Sequence, residues 1–466
     1  MRRLSAFDAN FLYLESPTAH MHVGSLAIFD SSTASGPWNA DAVRRVYADR
    51  IHLVPQFRRR LAEVPLQLDH PRWVDDPEFD VNWHIRHIAV PPPGGHAELS
   101  TLAGELMATQ LDRSRPLWEV WVIDGVTGGR TALLSKAHHA AMDGMAGIQM
   151  VSAMFDFTPE AEDVPVAQPW EPEHVPGDVE LLARATGSLA LQPFRALNAI
   201  RRGTHALRMR RRIIEDEGHG SLAETLPAGA PKVSFSAPIT PERSFFFRTL
   251  PFGSIKAIRR ATGATINDII LTIVGGGLAR YLERRSEDVD GSIVAMVPMS
   301  VRGDGTTAAD ANKLMNMFIR LGSDIADPLE RLAFIAEQTE SGKAQLRGGE
   351  GDPVRELSEM APATITAHMF RFIASHHVSE LVDPLFNLTM SNLAGSSTPL
   401  FLGGAFMVAN YPLGPIYDGT GLNITALSYM DQLDVGVLAC PQLSPDADRI
   451  PVAMEEALDE LLACVE

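Results

Sequence analysis

Cysteine is almost missing from this chain, whose 466 residues contain only Cys440 and Cys464. Two cysteines form neither a disulfide framework nor a four-cysteine zinc site. We therefore expect a reducing, cytoplasmic compartment. The first residues, MRRLSAFDANF, begin like a secretion signal, but Asp8 and Asn10 interrupt the apolar segment that such a signal requires.

Basic charge and long apolar runs are also scarce. Lys and Arg number 40 against 58 Asp and Glu, which gives a formal net charge of −18. Because a general nucleic-acid binder needs basic surface to neutralise phosphates, we expect no nucleic-acid partner. The longest apolar stretch, GATINDIILTIVGGGLARYL, contains Asp268 and Arg280 and falls short of the ~18 uncharged residues of a membrane span. The sequence thus predicts a soluble or peripheral protein.

The chain is long and apolar enough for two domains, with 45% hydrophobic residues. Residues 158–177 carry five prolines and no periodicity, and residues 215–241 are similarly rich in turn-forming residues. We predict an N-terminal domain at 1–157, a connector at 158–241 and a C-terminal domain at 242–466. Strand-like and helix-like segments alternate in both halves, as in HVGSLAIFD, RTALLSKAH and the long helix INDIILTIVGGGLARYLERR, which favours the α/β class.

Two adjacent histidines stand in the segment SKAHHAAMDG, residues 135–144. The run LLSKAHH looks like the end of a strand, where neighbouring side chains point to opposite faces, so only one imidazole enters a given site. Asp143 and Gly144 then precede a stretch with helical periodicity. Three interpretations remain at this point: Asp143 as a helix N-cap beside a packed His139, acid–base catalysis by a histidine, or a zinc site, for which no third ligand is near.

The segment HHAAMDG matches the HHxxxDG signature of chloramphenicol acetyltransferase-like enzymes, which include the condensation domains of peptide synthetases. Other segments more specifically resemble the wax ester synthase/diacylglycerol acyltransferase family, over nearly the whole length. These segments are LSAFDANFLYLES, PRWVDDPEFDVNWHI, LDRSRPLWEVWVIDG, TINDIILTIVGGGLARYL, VPMSVR and NLTMSNLAG. One departure is visible, because residues 391–397 read SNLAGSS where that family commonly continues SNVPGP.

The resemblance implies a role for each motif residue. It makes His139 the general base and His138 a scaffold residue, within a motif that Gly144 completes. Asp143 is expected to turn away from the substrate and to form an ion pair with Arg302, which ends the VPMSV segment.

Further positions are less specific. Asn267 and Asp268 match the Asn-Asp motif and are expected to bind substrate. The triplet Pro116, Leu117 and Trp118 matches a Pro-Leu-Trp motif that is more easily explained by packing. Glu15 either lines the cleft or is a solvated surface residue.

The fold implied by the resemblance is two chloramphenicol acetyltransferase-like domains with a tunnel between them. The activity implied is transfer of a long-chain acyl group from acyl-CoA to diacylglycerol, or to a fatty alcohol, with no cofactor and no metal. The absence of a GxSxG motif agrees with direct transfer rather than an acyl-enzyme. The alternatives are an acyltransferase for another lipid or polyketide alcohol, and a non-catalytic lipid-binding protein.

The connector is unlike the rest of this acidic chain. Between positions 184 and 212 it contains no acidic residue, and leucines and other apolar residues are interleaved with eight arginines, at 184, 195, 201, 202, 208, 210, 211 and 212. Such a pattern is typical of an amphipathic helix whose basic face meets anionic lipid. The alternative is a solvated basic helix that packs on the protein itself. Because the lipid substrates implied by the resemblance lie in membranes and droplets, we expect peripheral contact with an anionic membrane or lipid droplet.

Overall fold

Two six-stranded sheets, each containing parallel and antiparallel pairs, form the centre of the protein. The structure is a computed structural model that describes residues 1–142, 144–160, 163–186, 229–300, 314–347, 368 and 383–466. Helices cover both sheets, so each sheet buries an apolar core. The predicted α/β class is confirmed.

The first sheet comes mainly from the N-terminal third of the chain. Its strands are β2 (His22–Asp30), β5 (Ile85–Ala89), β6 (Trp118–Val126), β7 (Arg130–His138), β12 (Phe401–Leu402) and β13 (Ala405–Leu413), in the order β12-β13-β2-β7-β6-β5. Its helices are α1 (Ala6–Leu14), α2 (Ala40–Arg50), α3 (Val81–His84), α4 (His96–Ala108) and α5 (Gly144–Met154). The pair β5–β6 is parallel and the other pairs are antiparallel. A separate three-stranded sheet joins β1 (Arg2–Arg3), β3 (Arg59–Ala62) and β4 (Arg72–Asp75).

The second sheet is built from the C-terminal half. Its strands are β8 (Ser244–Pro251), β9 (Val294–Ser300), β10 (Leu314–Arg320), β11 (Leu388–Ala394), β14 (Leu422–Tyr429) and β15 (Gln432–Ala439), in the order β10-β9-β11-β14-β15-β8. Its helices are α6 (Phe252–Thr262), α7 (Ile266–Arg284), α8 (Pro328–Arg347) and α9 (Arg449–Ala463). A Cβ at Gly277 in α7 would lie 2.7 Å from Cγ of Met454 in α9, so glycine allows these two helices to pack closely.

Strand β13 links the two halves of the protein. It follows β11 in the chain, yet it pairs with β2 of the first sheet. A Cβ at Gly436 of β15 would lie 1.9 Å from the carbonyl oxygen of Pro412 in β13, which shows how closely the two sheets approach here. The buried Asp434 accepts hydrogen bonds from Asn410 N and from Thr249 Oγ1, both at 2.7 Å. This carboxylate fastens β13 to the second sheet.

The segments predicted as strands at 22–30 and 130–138 are β2 and β7, and the predicted long helix is α7. In the connector, residues 163–177 contain no regular element and residues 178–186 are helical. The later part of the predicted basic helix lies outside the described residues. No described helix is by itself long and apolar enough to cross a membrane; α6 and α7 meet the length and hydropathy requirement only jointly and are bent by 111°.

Candidate active site

The histidine doublet lies where β7 ends and the chain turns toward α5. Strand β7 pairs with β2 up to the register pair His22 and His138. A short 3-10 turn, His139–Ala141, follows, and the amide of His139 donates a hydrogen bond to the carbonyl of Met21 at 2.9 Å. The turn is therefore tied to the sheet at its first residue, and Gly144 begins α5 as the sequence predicts.

His138 is directed into the protein. It is 1% exposed, and its Nδ1 accepts a hydrogen bond from the amide of Ala140 at 3.0 Å. Its Nε2 lies 3.5 Å from Oε2 of Glu15. His138 thus caps the turn that carries its neighbour.

His139 is the member of the doublet that remains partly exposed. Its ring stacks on Phe11 of α1, with the centroids 3.8 Å apart and the planes inclined by 12°. His139 nevertheless lies deep in the protein, and this burial lowers its pKa to about 4. At neutral pH the imidazole is uncharged and can accept a proton.

Glu15 is a site residue whose place the sequence left open. It lies directly after α1 with its side chain only 7% exposed, and Nε of Arg113 donates to Oε2 at 2.8 Å. Burial raises the pKa of Glu15, but the adjacent His138 and Arg113 outweigh burial and keep the pKa below its ordinary value. The carboxylate is therefore a buried charge between an arginine and the doublet, and not a solvated surface group.

A second buried ion pair supports the same strand. Nζ of Lys136, two residues before His138, lies 2.6 Å from Oε1 of Glu119 on β6. The ammonium also donates to the carbonyls of Leu106 and Thr109 at the end of α4, at 2.9 and 2.8 Å. Because a cation at a helix C-terminus is favourable, Lys136 anchors β7 to α4.

The Asn-Asp motif stands at the start of α7, and the two side chains differ in their surroundings. Asp268 is buried and forms a capping box with Thr265. Its Oδ1 also accepts a hydrogen bond from Thr339 Oγ1 of α8 at 2.7 Å. Asn267 is partly exposed, and its Nδ2 has no hydrogen-bond partner within the described part of the chain. Asp268 therefore holds the start of the helix, whereas the amide nitrogen of Asn267 is buried without a partner among the described residues.

The remaining predicted positions fall into three groups. Asp143 and Arg302 lie outside the described residues, so their predicted ion pair stays a prediction. Trp118 is buried in packing, with its ring 4.3 Å from that of His84 and its Nε1 donating to Phe57 O at 2.8 Å. Residues 391–394 of the segment 391–397 belong to β11, which ends there. The next residue, Gly395, is tightly placed, because a Cβ there would lie 2.2 Å from Ser428 O.

No group of three or more histidine, cysteine, aspartate or glutamate side chains within the described ranges is arranged to hold a metal ion. The doublet lies instead among an aromatic ring, a carboxylate and backbone groups. Such surroundings suit proton transfer by an uncharged imidazole.

The chain matches two family models in tandem. Residues 4–270 match the wax ester synthase/diacylglycerol acyltransferase catalytic domain, and residues 311–462 match the WS/DGAT C-terminal domain. This chain belongs to the wax ester synthase/diacylglycerol acyltransferase family. The resemblance seen in the sequence motifs is confirmed, and the protein is an acyltransferase.

Relatives in Mycobacterium tuberculosis are similar over almost the full length. One protein of strain H37Rv, whose name proposes a diacylglycerol O-acyltransferase, is 34% identical over 442 residues, which cover 94% of this chain and 92% of that protein. Another with the same type of name is 33% identical over 465 residues, covering 100% of this chain and 91% of its own.

Solved structures share the fold. The wax ester synthase/diacylglycerol acyltransferase from Marinobacter aquaeolei VT8 superposes with a TM-score of 0.69 at 25% identity and full coverage of both chains. The first condensation domain of the CDA synthetase gives a TM-score of 0.55 at 16% identity, covering 100% of this chain and 97% of that one, which indicates a common fold. The chloramphenicol acetyltransferase-like α/β fold predicted from the resemblance is confirmed.

Proposed function

We propose that this member of the family is an acyl-CoA-dependent O-acyltransferase that makes triacylglycerol from diacylglycerol and long-chain acyl-CoA. Long-chain alcohols are further acceptors, and they give wax esters. The observation that carries the proposal is the placement of His139, an accessible imidazole that is uncharged at neutral pH and held by a turn anchored to both β2 and α1.

In the proposed reaction His139 acts as general base. It takes the proton of the acceptor hydroxyl as the hydroxyl oxygen attacks the thioester carbonyl. The tetrahedral intermediate then expels the CoA thiolate, and His139 returns the proton to that sulfur, so the ester and free CoA are the products. A positioned base typically contributes about 10²–10⁴-fold to such a step. No cofactor, metal ion or acyl-enzyme takes part in this scheme.

The other motif residues complete the proposal. Asp143 and Arg302 form an ion pair that braces the loop after the doublet, and Gly144 lets that loop enter α5. Asn267 contributes its free amide to substrate binding, on α7 of the other half of the protein. The substrates meet in a tunnel between the two sheet-centred units. The proposed domains 1–157 and 242–466 are joined by the connector 158–241, and strands β12 and β13 of the second domain complete the sheet of the first.

The test is an assay with labelled palmitoyl-CoA offered diacylglycerol, monoacylglycerol or hexadecanol, with products separated by lipid class. We expect triacylglycerol as the main product and a loss of at least ~10²-fold in kcat for His139→Ala. The matched control is His87→Ala, because His87 is a 48% exposed surface histidine paired with Asp124. A folded His139→Ala that keeps more than about a tenth of kcat contradicts the base assignment.

The same assay separates the alternatives. Turnover with other lipid or polyketide alcohols, and none with diacylglycerol, would assign the scaffold to a different acceptor. Binding of acyl-CoA without any turnover would make the chain a lipid-binding protein. The partly exposed and uncharged imidazole of His139 supports an enzymatic function over simple lipid binding, because a binding pocket needs no base.

We further propose a peripheral contact of this cytoplasmic protein with anionic membrane or lipid-droplet surfaces through the arginines of the connector. Each basic residue near an anionic surface contributes about 1 kcal/mol, and salt weakens the attraction. Liposome co-sedimentation, with and without anionic lipid and at low and high salt, compares the wild type with the variant Arg208→Gln/Arg210→Gln/Arg211→Gln/Arg212→Gln. Equal binding by the two proteins would contradict this contact.

A further inference from the structure

A chain of polar contacts links α1 to the histidine doublet. It begins at Arg113, which donates to the buried carboxylate of Glu15 and to the carbonyl of Leu12. It continues over 3.5 Å from Glu15 Oε2 to Nε2 of His138. It ends at the amide of Ala140, which donates to Nδ1 of the same ring.

The contacts determine where the proton of His138 resides. A backbone N–H can only donate, so Nδ1, which receives the amide of Ala140 at 3.0 Å, carries no proton. A neutral imidazole then carries its proton on Nε2, the atom that faces Glu15. The carboxylate therefore favours the tautomer in which His138 caps the turn. With the proton on Nδ1 instead, the ring would present a donor to the amide and the cap would be lost.

The cap acts directly on the turn that carries His139. The amide held by His138 belongs to Ala140, the next residue after His139, and the 3-10 turn has only three residues. Rotation of the His138 ring would free this amide and allow the turn to shift. A displaced base costs rate even where substrate still binds, because reaction requires close alignment of the reacting atoms.

We propose that Glu15 is a positioning residue for the acyl transfer: it holds His138 in its Nε2-protonated form, and His138 in turn holds the backbone of the His139 turn. Glu15 touches neither substrate nor reacting atoms in this proposal. Arg113 keeps the carboxylate ionised and in place. The inference rests on the proposed role of His139 as base.

The first test compares Glu15→Ala with Glu15→Gln in steady-state kinetics. We expect Glu15→Ala to lower kcat about 10-fold or more, as loss of an orienting partner does at other sites, with KM changed less than about twofold. Glu15→Gln should recover most of kcat, because its amide oxygen can accept the Nε2 proton of His138. Equal kcat losses in the two variants would overturn the proposal.

The matched control is the buried pair Asp156 and Arg50, joined at 2.7 and 2.9 Å. Asp156 forms a backbone bridge with Phe401, and Phe401 pairs with Phe406, which lies opposite Asp30 at the end of β2. His138 pairs with His22, at the start of β2. The control therefore lies at the other end of the nine-residue strand β2. Asp156→Ala should lower the unfolding midpoint and leave kcat near the wild-type value. If Glu15→Ala behaves in the same way, Glu15 is structural only and the proposal is wrong.

A double-mutant cycle tests the route through His138. In His138→Asn the shorter amide can still accept the amide of Ala140 but does not extend toward Glu15. Adding Glu15→Ala to this variant should lower kcat less than it does in the wild type, since coupled residues are not additive. Additive losses would overturn the route. The two proposals can fail separately. If Glu15→Ala loses kcat while His139→Ala keeps it, the positioning role falls together with the base assignment. If His139→Ala is inactive while Glu15→Ala is fully active, only the positioning role is refuted.

Discussion

The ring of Phe11 lies nearly parallel to the imidazole of His139, 3.8 Å away between centroids. Phe11 belongs to α1, 128 positions earlier in the chain, so the first helix supplies one face of the environment of His139. A flat aromatic contact fixes the plane of the imidazole and shields that face from water. The orientation of His139 thus depends on α1 as well as on its own turn.

Replacing Phe11 by leucine should lower kcat several-fold while leaving the protein folded, because leucine fills apolar space but does not fix the ring plane. The measurement is kcat with acyl-CoA and acceptor both saturating. Phe79→Leu is the control, since Phe79 also lies on a histidine, His84, with centroids 5.3 Å apart, in the packing around Trp118. Equal kcat losses in the two variants would show that the Phe11 contact has no specific part in catalysis.

The pH dependence of the rate should follow the lowered pKa of His139, about 4 as a consequence of burial. The proposed base is active when unprotonated, so kcat/KM should be constant on the acid side down to about pH 5 and fall as the pH passes through about 4. Initial rates between pH 4 and 8 measure this, with residual activity at pH 7 after each exposure as the control for unfolding. A half-maximal rate near pH 6.5 would show that burial does not lower the pKa of the catalytic group.

Buried histidines should also make the fold sensitive to acid. Burial lowers the pKa of both His70 and His84 to about 4, so the unfolded chain binds more protons than the folded protein once the pH falls below about 6.5. The free energy of unfolding is therefore highest above pH 6.5 and decreases toward pH 4. At pH 5.5 each of these histidines should remove about 1 kcal/mol. Urea unfolding at pH 7.5, 6.5 and 5.5 measures the trend.

The variant His84→Asn isolates one such contribution. Its amide can still donate to the carbonyl of Trp118, which Nδ1 of His84 contacts at 2.7 Å, but it does not titrate. The variant should be less stable than the wild type at pH 7.5 and lose less stability on acidification. An unchanged slope with pH would show that His84 is not a source of the effect.

Substitutions at the two residues of the Asn-Asp motif should have different effects, on stability for Asp268 and on KM for Asn267. Asp268→Ala removes acceptors for Thr265 and Thr339 and should lower the free energy of unfolding by about 1–3 kcal/mol, with KM retained in the folded fraction. Asn267→Ala removes an amide that has no described partner, so stability should change little while KM for the acceptor rises. Calorimetry and acceptor titrations on both variants decide this. The reverse pattern would place Asp268, and not Asn267, against the substrate.

Local sequence patterns predicted much of the secondary structure. The alternation in HVGSLAIFD and RTALLSKAH and the apolar length of INDIILTIVGGG are local properties, and β2, β7 and α7 follow from them. Even the structural use of Asp268 has a local signal, because Thr265 and Asp268 have the spacing of a capping box.

What the sequence did not show is contact between distant segments. Glu15 and His138 are separated by 123 positions and Phe11 and His139 by 128, and neither member of either pair carries a spacing that identifies its partner. The same limit applies to β13, whose alternating residues mark a strand but do not reveal that it pairs with β2. Register between remote strands depends on tertiary packing, which periodicity does not encode.

The pairing of β13 with β2 has a consequence for biosynthesis. A ribosome completes residues 22–138 long before it reaches residue 405, so the nascent first sheet waits with one edge of β2 unpaired. An uncovered strand edge invites pairing with other chains. The histidine turn lies at the end of this same sheet, so its final geometry is attained only after about nine-tenths of the polypeptide has emerged. A nascent fragment that ends in the connector would therefore carry the complete HHxxxDG motif on a sheet that still lacks β12 and β13.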